Sequence, residues 1–181
     1  QHADKHGHDF FAKLETRNFC KPTEARHMFA SYPSAEKFFV DAWTRIPSPS
    51  KCFYELIHRD RPARLYFDIE WEQESAQPRE ARQRVERIIA VVCEQLRPYL
   101  QEPRYELTDG SRAVPDAKNV NERYKHSFHL VFTNVWFERN HEGMKHFVKT
   151  KVIPALSAGD TVDANVYTPN RLMRMVGCHK Y

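Results

Sequence analysis

The sequence predicts an α+β protein in which helices pack on one face of a mixed sheet. Three observations carry that prediction. Leu65 to Glu72 alternates apolar and polar residues with period two, as a half-buried strand does. Lys125 to Thr133 does the same, with Phe128, Leu130 and Phe132 opposing Ser127, His129 and Val131. Between them Ala81, Val85, Ile88, Ile89, Val92, Cys93 and Leu96 repeat at helical spacing and form one apolar stripe.

Taken in order, residues 1–9 are polar and His-rich, read as a solvated end with a metal tract as the alternative. Ser34 to Trp43 reads as a helix with Ser34 at its N-cap. Ile46 to Ser50 is a Pro/Ser turn, Cys52 to Ile57 a short strand, and Arg59 to Pro62 a further turn. In the next strand Leu65, Phe67, Ile69 and Trp71 point to one side and Tyr66, Asp68, Glu70 and Glu72 to the other. Pro78 opens the long helix and Pro98 closes it. Thr108 to Glu122 is polar and irregular. A second helix is expected over about 140–158, bent or ended by Pro154, and a short strand near Leu172–Val176.

Composition narrows the function classes. Of 181 residues 41% are hydrophobic and 29% charged, which is a globular balance. No apolar run approaches the roughly 20 residues that span a bilayer, so no membrane partner is expected. Only 5 glycines occur, and neither G-x-G-x-x-G nor G-x-x-x-x-G-K-[ST] is present. That argues against a dinucleotide fold or a P-loop, which need glycine to expose backbone N–H groups to phosphate. The net charge of +4 permits a nucleic-acid partner without demanding one. Cys20, Cys52, Cys93 and Cys178 are widely spaced and form no C-x-x-C, so no zinc site is expected and a reducing, intracellular setting is. The chain starts at Gln1, so no leader can be read from its beginning.

Three segments can carry chemistry. Asp68 and Glu70 stand at i and i+2 on one strand face, with Cα atoms roughly 6.6 Å apart. Two divalent ions can share such a pair; on its own, the pair reads first as two carboxylates facing water on an edge strand. Lys125, Ser127 and His129 form a row of donors suited to phosphate oxygens, or else a polar strand face with a hydrogen-bonded histidine. His126 falls on the opposite face and is read as structural. Near the C-terminus Asp163 offers a third carboxylate, followed by Arg171, Arg174 and Lys180. Nucleotidyl transfer needs this combination: carboxylates for metals, and cations for the triphosphate and departing pyrophosphate.

In this order the segments resemble the archaeo-eukaryotic primase (AEP) superfamily, and within it the primase-polymerase (PrimPol) group. Leu65-Tyr-Phe-Asp68-Ile-Glu70 matches the family's hxDhE motif I, and Lys125-x-Ser127-x-His129 its K-x-S-x-H motif II. Asp163 to Lys180 matches hD..VYT.NR..R.....K, motif III. Arg26 within Ala25-Arg-His-Met-Phe and the Cys52-Phe-Tyr-Glu55 strand also look PrimPol-like, so the likeness spans about Arg26 to Lys180. Two departures stand: no cysteine/histidine zinc module follows the core, and the sequence stops at Tyr181 soon after motif III.

The resemblance implies an AEP primase-like catalytic core, with an N-terminal α/β module over 1–62 and an RRM-like catalytic module over 63–181. It implies a template-dependent DNA primase/DNA polymerase using two Mg²⁺ or Mn²⁺ ions on Asp68, Glu70 and Asp163. Arg26, Lys125, Ser127, His129, Arg171, Arg174 and Lys180 would bind the nucleotide, and Tyr54 would act as a sugar gate. Expected partners are a DNA template and primer, (deoxy)nucleoside triphosphates and replication proteins, with the chain itself a monomer. The expected settings are DNA replication, damage tolerance and translesion synthesis, in the nucleus or mitochondrion for a eukaryotic source; a viral or bacterial source is equally compatible. The rival readings are a non-catalytic nucleic-acid-binding module and a two-metal phosphodiesterase or nuclease.

Overall fold

The structure, a computed structural model, describes residues 7–17, 25–114 and 123–178. It divides into two compact units, 1–59 with 169–181, and 60–168.

The first unit is a four-stranded sheet. Strands β1 (Phe10–Arg17), β2 (Ala25–Tyr32), β3 (Phe53–Ile57) and β8 (Arg171–Arg174) lie in the order β2-β1-β3-β8. Helix α1 (Ala35–Asp41) follows β2, and Ser34 Oγ caps it by accepting the Lys37 N–H at 3.3 Å. The helix contributes Phe38, fully buried, which meets Phe53 edge-on at 5.1 Å and Tyr32 at 5.3 Å. Such aromatic pairs add to the area each ring removes from water. The reading of 63–181 as one module is corrected here: the segment from Pro169 belongs with the N-terminal sheet, because β8 pairs antiparallel with β3 from Tyr54↔Arg174 to Ile57↔Arg171.

The second unit holds β4 (Ala63–Gln73), helix α2 (Pro78–Leu96), and strands β5 (Tyr105–Asp109), β6 (Arg112–Val114) and β7 (Arg123–Phe137). The long β7 lies between β4 on one side and β5 and β6 on the other. Among the described residues every strand pairing in both sheets is antiparallel, where a mixed sheet was expected. The α+β class holds. Leu65, Phe67, Ile69, Phe128, Leu130 and Phe132 are buried together on one face of the sheet. The α2 stripe of Ala81, Val85, Ile88, Ile89, Val92 and Leu96 is buried as its period predicts. Full burial of each large apolar side chain is worth about 1.5–3 kcal/mol.

The expected second helix is irregular. Asn140–Met144 and Val148–Val152 make wide π-type turns around a short α-helical Lys145–Phe147, and a 3₁₀ turn ends it at Ile153–Ala155. Pro154 sits at the start of that 3₁₀ turn, and having no N–H to donate to the fourth residue back it ends the regular helical bonding there.

Candidate active site

Sheet register builds the centre of the site. Asp68 lies opposite His129, and Glu70 opposite Ser127. Motifs I and II therefore meet side by side on the sheet face away from Phe67 and Phe128. His129 Nε2 stands 3.9 Å from Asp68 Oδ1. Ser127 Oγ donates to Glu70 Oε1 at 3.0 Å, and Lys125 Nζ donates to Glu70 Oε2 at 2.6 Å. Burial opposes ionisation of Glu70, but the hydrogen bonds from Lys125 and Ser127, with the Lys125 and His129 charges, hold its carboxyl below the usual range.

Motif III is tied to the outer edge of β4 beside Asp68 through its backbone. The Asp163 N–H donates to the Asp68 carbonyl at 2.9 Å, so the third carboxylate starts beside the first. Asp163 Oδ1 accepts the Asn165 N–H at 2.8 Å and caps the turn Ala164–Val166. A buried polar knot fixes that turn to β4. Tyr66 Oη donates to the Val166 carbonyl at 3.0 Å, and Tyr167 Oη donates to the Tyr66 carbonyl at 2.7 Å. Asn140 Nδ2 donates to Tyr66 Oη at 3.3 Å and to the Thr168 carbonyl at 3.0 Å. Burial pushes the Tyr167 hydroxyl well up, and the neighbouring Tyr66, Asp163 and Asp68 push the same way. Two of the three carboxylates thus act on one ring.

Asp68, Glu70, Asp163, Lys125, Ser127 and His129 all belong to unit 60–168. Tyr54, Arg171 and Arg174 belong to the first unit. There Tyr54 lies opposite Arg174 across β3 and β8, donates to Glu15 Oε2 at 3.0 Å and carries Lys13 Nζ 5.0 Å from its ring centre. Arg26 is exposed on β2 of the same unit, and Lys180 falls outside the described residues. Asn170, with φ of 55°, takes the left-handed turn before β8, and its Oδ1 accepts the Arg59 N–H at 3.0 Å. His126 is structural as expected: buried, stacked on Trp71 at 4.7 Å, and 2.8 Å from Gln73 Nε2.

Sequence reasoning passed over several residues that shape the site. Tyr66, Tyr167 and Asn140 make the knot under motif III. The edge formed by β5 and β6, from Asp109↔Phe128 to Arg112↔Lys125, keeps one register along β7. Its Gly110 N–H donates to the Ser127 carbonyl at 2.8 Å, and Ser111 Oγ accepts the Ser127 N–H at 3.1 Å. An Asp-Gly pair between two β-prone runs was the available signal.

The donor chemistry fits a hard divalent cation. Asp68, Glu70 and Asp163 offer carboxylate oxygens, which suit Mg²⁺ or Mn²⁺ rather than a thiolate-seeking metal. The side chains as placed do not yet close on one: among the described residues no three of His, Cys, Asp or Glu are grouped to hold a metal ion. Glu70 is instead paired with Lys125, Nζ to Oε2 at 2.6 Å.

The structure thus sets a two-carboxylate strand beside a K-x-S-x-H strand and ties the backbone of a third carboxylate residue to the first. Residues 25–181 match the family described as the C962R protein N-terminal AEP domain. The chain belongs to that family, and it is an archaeo-eukaryotic primase-type catalytic domain. No curated protein matches it significantly. AEP domains generally work with divalent metals, on nucleic acid and nucleotides.

Proposed function

We propose that this domain extends or starts DNA primers on a template. A 3′-hydroxyl attacks the α-phosphate of an incoming nucleotide; the new P–O bond replaces the bond to pyrophosphate, which leaves. The observation that supports this reading best is the single sheet face on which Asp68 and Glu70 meet Lys125, Ser127 and His129, with the Asp163 backbone bonded to Asp68 at the edge of β4. Asp68, Glu70 and Asp163 would hold Mg²⁺ or Mn²⁺, which supplies charge stabilisation and lowers the pKa of the attacking hydroxyl.

The chain's own residues do the rest. Lys125, Ser127 and His129 donate to phosphate oxygens. Lys125 moves from Glu70 to the triphosphate as nucleotide and cation arrive together. The resemblance assigns Arg26, Arg171, Arg174 and Lys180 to the same triphosphate and Tyr54 to its sugar.

Primer extension with dNTP and with NTP, in Mg²⁺ and in Mn²⁺, tests the reading. Wild type should lengthen the primer. Asp68→Ala and Glu70→Ala should each lower incorporation by about 10²-fold or more while keeping the far-UV spectrum and a cooperative melt. Binding of a triphosphate without extension would favour a non-catalytic nucleic-acid module. Shortening of the primer would favour a nuclease. Near-wild-type extension by the Asp68→Ala/Glu70→Ala double variant would remove the metal assignment.

A further inference from the structure

Helix α2 carries Arg84 and Arg87 one turn apart, and both reach the loop that leads into Asp163. The loop's Asp160 is nearly withdrawn from solvent, its side chain 3% exposed. Arg87 approaches it with two nitrogens, Nη2 at 3.0 Å from Oδ1 and Nε at 3.3 Å from Oδ2. Arg84 Nε lies 3.4 Å from Oδ1. Arg84 Nη2 also donates to the Gly159 carbonyl and approaches Thr161 Oγ1 at 3.4 Å. The same guanidinium lies 4.3 Å from the ring centre of Trp71, the residue after Glu70. Burial lowers the Arg84 pKa, and the Asp160 charge opposes that.

Arg84 therefore touches two places at once. Its guanidinium lies over the ring of Trp71, on the strand that carries Asp68 and Glu70. Its nitrogens hold the loop at Gly159–Thr161, just before Asp163. A planar, five-donor guanidinium suits both contacts, and an ammonium would suit neither as well. A nearly buried carboxylate is costly unless paired, and an ion pair of this kind adds little net stability over apolar packing. What it adds is fixed geometry. Holding the groups that orient metal ligands is known to govern affinity without touching the metal.

We propose that Asp160, Arg84 and Arg87 form a positioning clamp that sets the Asp163 loop against the Asp68–Glu70 strand. It governs how tightly the three carboxylates take a divalent cation. The inference rests on the carboxylate assignment above, and the experiment separates the two.

Mn²⁺ binding to the whole chain is measured by electron paramagnetic resonance, beside kcat, nucleotide KM and Tm. Asp163→Asn serves as the control for the carboxylate assignment. Asp160→Asn keeps the shape and removes the charge; it should weaken Mn²⁺ by about 10-fold and lower kcat, with nucleotide KM little changed. Arg87→Met should do the same in smaller measure. Arg87→Lys, which keeps the charge, should restore most of the affinity. Arg87 is 55% exposed, so its variants keep the test alive if Asp160→Asn does not fold. Wild-type Mn²⁺ affinity in Asp163→Asn would overturn the carboxylate reading. Weakened binding in Asp163→Asn, with wild-type affinity in Asp160→Asn or in Arg87→Met, would overturn the clamp. A lower Tm with unchanged Mn²⁺ affinity would also overturn it, because that is a merely structural ion pair.

Discussion

His126 and its neighbour Ser127 show how one strand can serve two roles. Ser127 faces Glu70, while His126 turns into the packed face, stacked on Trp71 and alongside Phe128. Burial is the main reason its imidazole is held below the ordinary value of 6.5; Asp109 opposes that shift and Arg84 adds to it. The folded form therefore refuses a proton that the unfolded chain accepts. Stability is full above pH 6.5 and falls as pH drops through it, until the folded imidazole itself is protonated. Melting between about pH 7.5 and 5.5 should show this fall, and His126→Phe, which keeps the stack, should flatten it. An equal slope in both proteins would mean that other groups set the pH dependence. Tyr54 can be tested by two variants. As a sugar gate it would act through its ring, which is about half buried beside Lys13, rather than through its hydroxyl. Tyr54→Phe loses the Glu15 bond but should keep the dNTP/NTP ratio of kcat/KM. Tyr54→Ala should lower that ratio by about 10–200-fold. If Phe and Ala lower it alike, the hydroxyl is responsible and the steric gate falls. Alternation told correctly which way Asp68, Glu70, Ser127 and His129 face, because a two-residue period is a local property of strands. It did not tell that Tyr66, on the same face as Asp68, is buried, because a loop a hundred residues later covers it.

At the scale of elements, that loop is held by very few bonds. The Ala164–Val166 turn is too short to be stable alone, so its place depends on Tyr66, Tyr167 and Asn140. Tyr167→Phe removes the bond to the Tyr66 carbonyl and nothing of the ring packing. It should cost about 1–3 kcal/mol, since a buried acceptor loses its partner. It should also slow incorporation, because the Asp163 N–H bond to Asp68 is part of the same arrangement. Chemical unfolding and primer extension on one preparation would measure both; a wild-type unfolding midpoint would show that the hydroxyl bond carries no load. The elements that were legible, β4, α2 and β7, are long and strongly periodic. β5 and β6 were not, because they form an edge strand facing water, where no apolar alternation is needed. β1 and β2 went unread for a related reason. Most of β2 is exposed, and pairing with β1 from Phe10↔Tyr32 to Arg17↔Ala25 supplies what its side-chain pattern does not.

Across the whole molecule the chain runs through one unit, builds the second, and returns to complete the first. That return is invisible to any reading that moves along the sequence, because the partner of Arg171–Arg174 is a strand more than a hundred residues earlier. It has a measurable consequence. β8 is an outer strand whose removal would leave β3 as a bare edge, with its outward backbone groups unpaired. Met175 also supplies an N–H to the Phe53 carbonyl at 3.1 Å, and Met175 and Cys178 pack on the Phe38–Phe53 core. Deleting 169–181 should therefore loosen the first unit specifically. Amide hydrogen exchange should speed up along Phe53–Ile57 and β1, toward the rates of a frayed edge. The β4–β7 ladder pairs wholly within 60–168, so its protection should stay close to that of the full chain. Exchange rising equally in both ladders would show that the units do not hold their structure independently. Unchanged exchange in β3 would show that β8 adds no stability to the sheet it closes.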